Sequence, residues 1–102
     1  MKLRSLAEAD AEVLDAALWY EDERPGLGDD FLAERERAVE RIEENPRGLP
    51  RLDYYDGPRE IRRVLMRRFP YAVIFQVGSG ELLVVAVAHL KRRPLYWLDR
   101  VE

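Results

Sequence analysis

Apolar positions recur every three to four residues through the first half of the chain and then switch to a strand-like pattern. Ala9, Val13, Ala16, Ala17 and Tyr20 form one stripe, which predicts a helix over residues 6–23 with a single buried face. Ser5 and Glu8 stand at capping-box spacing at its start. The breaker Arg24-Pro25-Gly26-Leu27-Gly28 precedes a second helix. Asp29 or Asp30 is expected to cap it, and Phe31, Arg35, Ala38 and Ile42 lie near one face. Asn45-Pro46 ends it, because the residue before proline avoids helical geometry. So short a connection makes the two helices an antiparallel hairpin.

Residues 46–58, with three prolines, two glycines and Tyr54-Tyr55, read as an ordered loop. Strands are then predicted over 59–69, 71–77 and 81–89, the last two joined through Gly78-Ser79-Gly80. Pro70 marks a bend between the first two. The run from Leu82 to Ala88 is apolar on both faces, which suits a central strand covered on both sides. Residues 2–5 suit a short first strand, and Pro94 suits the first turn of a short C-terminal helix. The expected fold class is α+β: an N-terminal antiparallel helical hairpin packed on a small antiparallel β-sheet, in one domain over residues 1–102.

Charge divides the chain. Residues 1–56 carry 8 Lys/Arg against 16 Asp/Glu, and residues 57–102 carry 9 against 4, within an overall net charge of −3. The basic half is where an anionic partner would be steered. No cysteine is present and there is one histidine, so disulfides, thiolate metal sites and a histidine-rich metal centre are excluded. No dinucleotide, phosphate-loop or zinc-protease motif occurs, and neither a cofactor nor a metal is expected. No apolar run approaches the ~20 residues of a membrane span. The charged start of the chain is unlike a signal peptide, and a cytoplasmic location is expected.

The candidate chemistry lies late in the chain. Arg59, Arg62, Arg63, Arg67 and Arg68 share one predicted strand, with Arg63 and Arg67 on one side and Arg62 and Arg68 on the other. His89 ends the apolar strand and is followed at once by Lys91, Arg92, Arg93, Tyr96, Trp97 and Arg100. A histidine there can serve as a general base, although a lone strand-end histidine more often bonds the backbone. Cations and flat rings delivered to one spot suit an anionic or nucleic-acid-associated target. Tyr96 and Trp97 suit stacking on a base or anchoring a partner peptide as well as folding back on the core, and for Trp97 the core is favoured.

Together these segments resemble the RelE/ParE superfamily of toxins from bacterial type II toxin–antitoxin modules. The resemblance is carried by Ala16-Ala17-Leu18-Trp19-Tyr20-Glu21, by Pro25-Gly26-Leu27-Gly28-Asp29-Asp30-Phe31 and by Ile42-Glu43-Glu44-Asn45-Pro46. It continues through Arg67-Arg68-Phe69-Pro70-Tyr71-Ala72-Val73-Ile74-Phe75 and the segment from Ala86 to Trp97. It implies a helical hairpin on a small antiparallel sheet and a cognate antitoxin as partner. Trp19, Tyr20 and Phe31 are candidates for antitoxin contact, and association with DNA would be indirect, through the antitoxin. RelE-like members cut messenger RNA on the ribosome with strand cations and a C-terminal tyrosine or histidine, whereas ParE-like members bind DNA gyrase and trap it on cleaved DNA. On the first pattern Arg63, His89, Arg92 and Tyr96 would be catalytic. On the second Arg62, Lys91, Arg92, Arg93, Tyr96, Trp97 and Arg100 would bind the target. Ala72 and Leu65 stand where the nucleases tend to carry cations, and neither can stabilise a pentavalent phosphate. The resemblance therefore favours the ParE branch.

Overall fold

The computed structural model describes all 102 residues. Strand β1 (Lys2–Ser5) leads into helices α1 (Ala7–Glu23) and α2 (Leu27–Glu44), and strands β2 (Glu60–Leu65), β3 (Tyr71–Val77) and β4 (Glu81–His89) follow. The sheet order is β1-β4-β3-β2. The α+β class and the helical hairpin on a small sheet are as expected, but the sheet is mixed. β2, β3 and β4 run antiparallel, and β1 lies parallel to β4. The Lys2 and Leu6 amides donate to the carbonyls of Gly80 and Val84, which ties the start of the chain to its far end.

The sheet separates two cores. On the helical face Val64, Val73, Phe75, Leu82, Val84 and Val87 meet Ala9, Val13, Ala16 and Ala17 of α1 and Phe31, Ala38 and Ile42 of α2. On the other face Ile61, Ile74, Val85, Ala86 and Ala88 are covered by Leu52, Trp97 and Val101. β4 is therefore buried on both sides, as its unbroken apolar run requires. A register shift at Ile74/Phe75 sets Ile74 opposite Ala86 and Phe75 opposite Val84.

Local chemistry departs from the sequence reading at several ends. Ser5 does not cap α1: it is paired in β1, Leu6 is the N-cap residue, and no side chain caps the helix. Neither Asp29 nor Asp30 caps α2, which starts two residues earlier, at Leu27. Its free amides at Gly26 and Gly28 donate instead to the Glu21 carboxylate of α1 at 3.0–3.1 Å. Gly26 has φ 90°, a left-handed conformation that favours glycine. A Cβ at Gly28 would lie 2.6 Å from the Ala17 carbonyl, so glycine permits the close crossing of the helices.

β2 stops at Leu65 rather than Phe69, because Arg68 turns through φ 69° and Pro70 has no amide to donate. Arg67 and Arg68 are thus turn residues, and Arg68 pairs with Asp30 at 3.2 Å. The expected C-terminal helix is reduced to a 3₁₀ turn at Leu98–Arg100, preceded by Leu95 at φ 63°.

The loop at 46–58 is held by a charged clasp. Glu60 accepts from Arg47 at 3.1 Å and from Arg62 at 2.8 Å, which joins a 3₁₀ turn at Pro46–Gly48 to β2. These hydrogen bonds, the Arg47 bond foremost, hold the Glu60 carboxyl down at about 2. Its folded value lies below its unfolded one, so its stabilising effect is complete above about pH 4.5 and is lost as pH falls towards 2. Solvent around Arg47 screens the pair, so the contribution is small. Glu60→Gln is expected to lower stability at pH 7 slightly and to flatten the loss between pH 4.5 and 2, read by chemical denaturation across pH. An unchanged acid profile would show that the clasp does not govern it.

Candidate functional site

The site forms where β4 ends and the chain folds back over the sheet. After His89 the segment turns through Leu90 and Arg92, whose amides donate to the carbonyls of Pro70 and His89. It then drops Trp97 into the second core at 1% exposure. The left-handed backbone at Leu95, costly for a branched residue, aims the following Tyr96 at α1.

Glu12 of α1 is the fixed point of this region. Its Oε2 accepts from the Tyr96 hydroxyl at 2.6 Å and from Arg100 Nη2 at 3.1 Å. Its Oε1 accepts from Arg100 Nη1 and from the Val87 amide, both at 3.0 Å. Arg100 Nη1 also donates to the Val85 carbonyl at 3.0 Å. β1 pairs with β4 only as far as Val84, so an edge of β4 is open beyond it. Glu12 and Arg100 supply the acceptor and donor that a longer β1 would have offered. The Arg92 guanidinium lies 3.8 Å above the Tyr96 ring. Burial, then the hydrogen bond to Glu12, pushes the Tyr96 hydroxyl far above its ordinary pKa.

Arg63, His89, Arg92 and Tyr96 line one cleft of about 140 Å³. Arg93 and Tyr54 stand at its rim, Ile74, Ala88 and Trp97 line its apolar part, and no acidic residue lines it. Arg63 faces Ile74 across the β2–β3 pair, on the sheet face away from the helices. The His89 ring packs edge-on against Tyr71, at 5.1 Å between centroids. Its Nδ1 accepts the Lys91 amide at 3.0 Å, which leaves the proton of the neutral ring on Nε2. A second hollow on the helical side is bordered by Glu12, Asp15, Trp19, Tyr71, His89 and Arg92. No group of three or more metal-ligating side chains is gathered anywhere in the chain.

The other candidate residues are placed unequally. Lys91, Arg92 and Arg93 are exposed. Arg62 is tied to Glu60 and to the Leu49 carbonyl, away from the cleft. Arg100 is spent on Glu12 and Val85. Trp97 is core, so its expected target contact is corrected to a structural role. Of the three residues expected to meet an antitoxin, Trp19 is 59% exposed, Tyr20 is half-buried, and Phe31 is fully buried. Phe31 stacks with Tyr20 and meets Phe69 and Tyr71 edge-on, which makes it a core residue and corrects its place on a surface. Sequence reasoning missed Glu12, Tyr54 and Tyr71, and it missed Leu14 and Leu18, which are 58% and 57% exposed on α1.

The fold is that of known toxin–antitoxin components: the chain is similar to one in the solved chromosomal ParDE TA system from P. aeruginosa. The two share 18% identity with a TM-score of 0.66, over 87% of this chain and 95% of that one. Residues 2–94 match the family described as ParE toxin of type II toxin-antitoxin system, parDE, and the chain belongs to that family. No curated protein matches it.

Proposed function

We propose that this ParE-family toxin arrests growth by binding DNA gyrase rather than by cutting RNA, and that a cognate antitoxin silences it by docking on α1. The observation that carries the non-cleaving reading is the state of the acid–base groups in the cleft. Cleavage at a ribose 2′-hydroxyl needs one group to take a proton and another to return it. The Tyr96 hydroxyl is committed to Glu12 and hard to ionise, and His89 Nδ1 is committed to the Lys91 amide. Leu65 and Ala72, a register pair, offer no charge to a phosphorane. The exposed cations Lys91, Arg92 and Arg93 support a binding role for this end of the molecule.

Family membership and the shape of α1 support the antitoxin reading. Ala7, Ala11, Leu14 and Leu18 are all exposed and, spaced by four, three and four residues, form an outward stripe opposite the buried one. α1 carries seven acidic residues and no basic one. Asp10, Asp15, Glu21 and Asp22 flank the stripe, so the surface fits a basic amphipathic helix laid along it.

A ribosome-dependent endoribonuclease remains the rival, because Arg63, His89, Arg92 and Tyr96 do share one cleft. Induced expression of the chain alone in bacteria separates the readings. Growth arrest with a DNA-damage response and intact messages is expected, and purified chain should inhibit supercoiling by purified gyrase. Prompt cleavage of translated messages would establish the rival, and unimpeded growth would mark a nontoxic module that keeps only the fold.

A further inference from the structure

We propose that the cleft beneath the C-terminal segment binds a single-stranded nucleic acid without cutting it, with a phosphate between Arg63 and Arg93 and a base against the apolar wall. This goes beyond the gyrase reading and does not depend on it.

The charge inventory is the starting point. Arg4, Arg37, Arg47, Arg62, Arg68 and Arg100 each hold a carboxylate within 4.0 Å. Arg63, Arg92 and Arg93, which border the cleft, hold none, and no acid lines it. Three unneutralised guanidiniums around a concave apolar surface make a site whose missing component is an anion. The apolar wall excludes water on one side, which strengthens that attraction.

The remaining components fit a nucleotide better than a bare anion. Leu90 and Pro94, both exposed, and the partly buried Leu95 give the cleft the apolar surface against which a base can lie, backed by the buried Ile74 and Trp97. Tyr54, 46% exposed at the rim, offers a ring for stacking. Arg92 is held with its guanidinium over Tyr96, so little freedom is lost when it meets a phosphate. A cleft of about 140 Å³ has room for one base-sized ring, with the sugar and phosphate left at its open, cationic mouth. A duplex keeps its bases stacked inside and has none to give the apolar wall. Lys91, exposed beside the cleft, extends the cationic track for the next phosphate.

The test is fluorescence anisotropy with a fluorescein-labelled oligodeoxythymidine strand, a duplex of equal length and ATP as competitors, at two KCl concentrations. The strand is expected to bind with a Kd on the order of 10⁻⁴–10⁻⁶ M, more tightly than the duplex, and to stay intact on a gel. Arg63→Gln and Arg93→Gln are each expected to weaken binding about fivefold and to reduce the salt slope by about 0.7. Arg24→Gln, an exposed arginine at the end of α1, should leave binding unchanged. Neither Arg63 nor Arg93 has an ion-pair partner to lose, and circular dichroism confirms folding of each variant. Absence of saturable binding, or cleft variants indistinguishable from Arg24→Gln, overturns the proposal. Displacement by ATP at strand-equivalent concentration overturns it in favour of a free nucleotide, and cleavage of a matching RNA strand overturns its non-cutting half.

Discussion

Glu12→Ala is expected to destabilise the protein by about 3 kcal/mol and to lower its melting temperature by about 15 °C. The carboxylate accepts four hydrogen bonds at a position where its side chain is 16% exposed. Truncation leaves a phenol and a strand amide without their acceptor and a largely buried guanidinium with the Val85 carbonyl alone, and unpaired groups of that kind cost more than the contact itself contributes. Against a typical total of about 5–15 kcal/mol this is a large share. A double-mutant cycle with Arg100→Ala isolates the pair, and a coupling of about 1–2 kcal/mol is expected because the two residues share one network. Hydrogen exchange should rise first over residues 94–102, which reach the rest of the molecule largely through Glu12 and Trp97. A shift of only a few degrees, with no exchange difference in that segment, would show that the network does not hold the C-terminal segment in solution.

The same residue marks the limit of what the sequence made legible. Both helices follow from the apolar stripes, and β4 follows from its unbroken run, because burial on a known period leaves a local signature. The β3–β4 hairpin follows from Gly78-Ser79-Gly80. The parallel pairing of β1 with β4 leaves no such trace, since the partners are about 80 residues apart and share only backbone bonds. Nor does the capping of α2: Glu21 looks like an ordinary surface acid until the hairpin closes and brings it to the Gly26 and Gly28 amides.

At the site the pattern repeats. The basic-aromatic cluster was visible because residue type alone reveals it, and Arg63, His89, Arg92 and Tyr96 do come to one cleft. Glu12 was hidden, because its partners Tyr96 and Arg100 lie 84 and 88 positions away. That one contact also changes the chemistry assigned to the cluster. The tyrosine that the nuclease pattern would make catalytic donates its hydroxyl to Glu12, and the arginine expected to meet a target completes the edge of a strand.

Replacing Leu14 and Leu18 together by arginine is expected to weaken antitoxin binding at least a hundredfold while leaving the toxin's own stability within about 0.5 kcal/mol. Both leucines are more than half exposed in the free chain, so they contribute little to folding. On the proposed complex each would be buried, and losing two such side chains amounts to about 3 kcal/mol before any charge effect. The new arginines would also face a basic helix, adding repulsion where the wild-type surface is acidic. Calorimetry with the cognate antitoxin gives the affinity, and coexpression gives the consequence: toxicity that the antitoxin no longer rescues. Charge reversal at Asp15 and Asp22, which are exposed on α1, should act differently, slowing association and removing much of its salt dependence. The competing surface is the outer edge of β1, the edge strand beside β4, where an extended partner would add a strand. Such a partner would bind the Leu14/Leu18 double variant as tightly as the wild type, and that result would move the docking site from the acidic helix to the sheet edge.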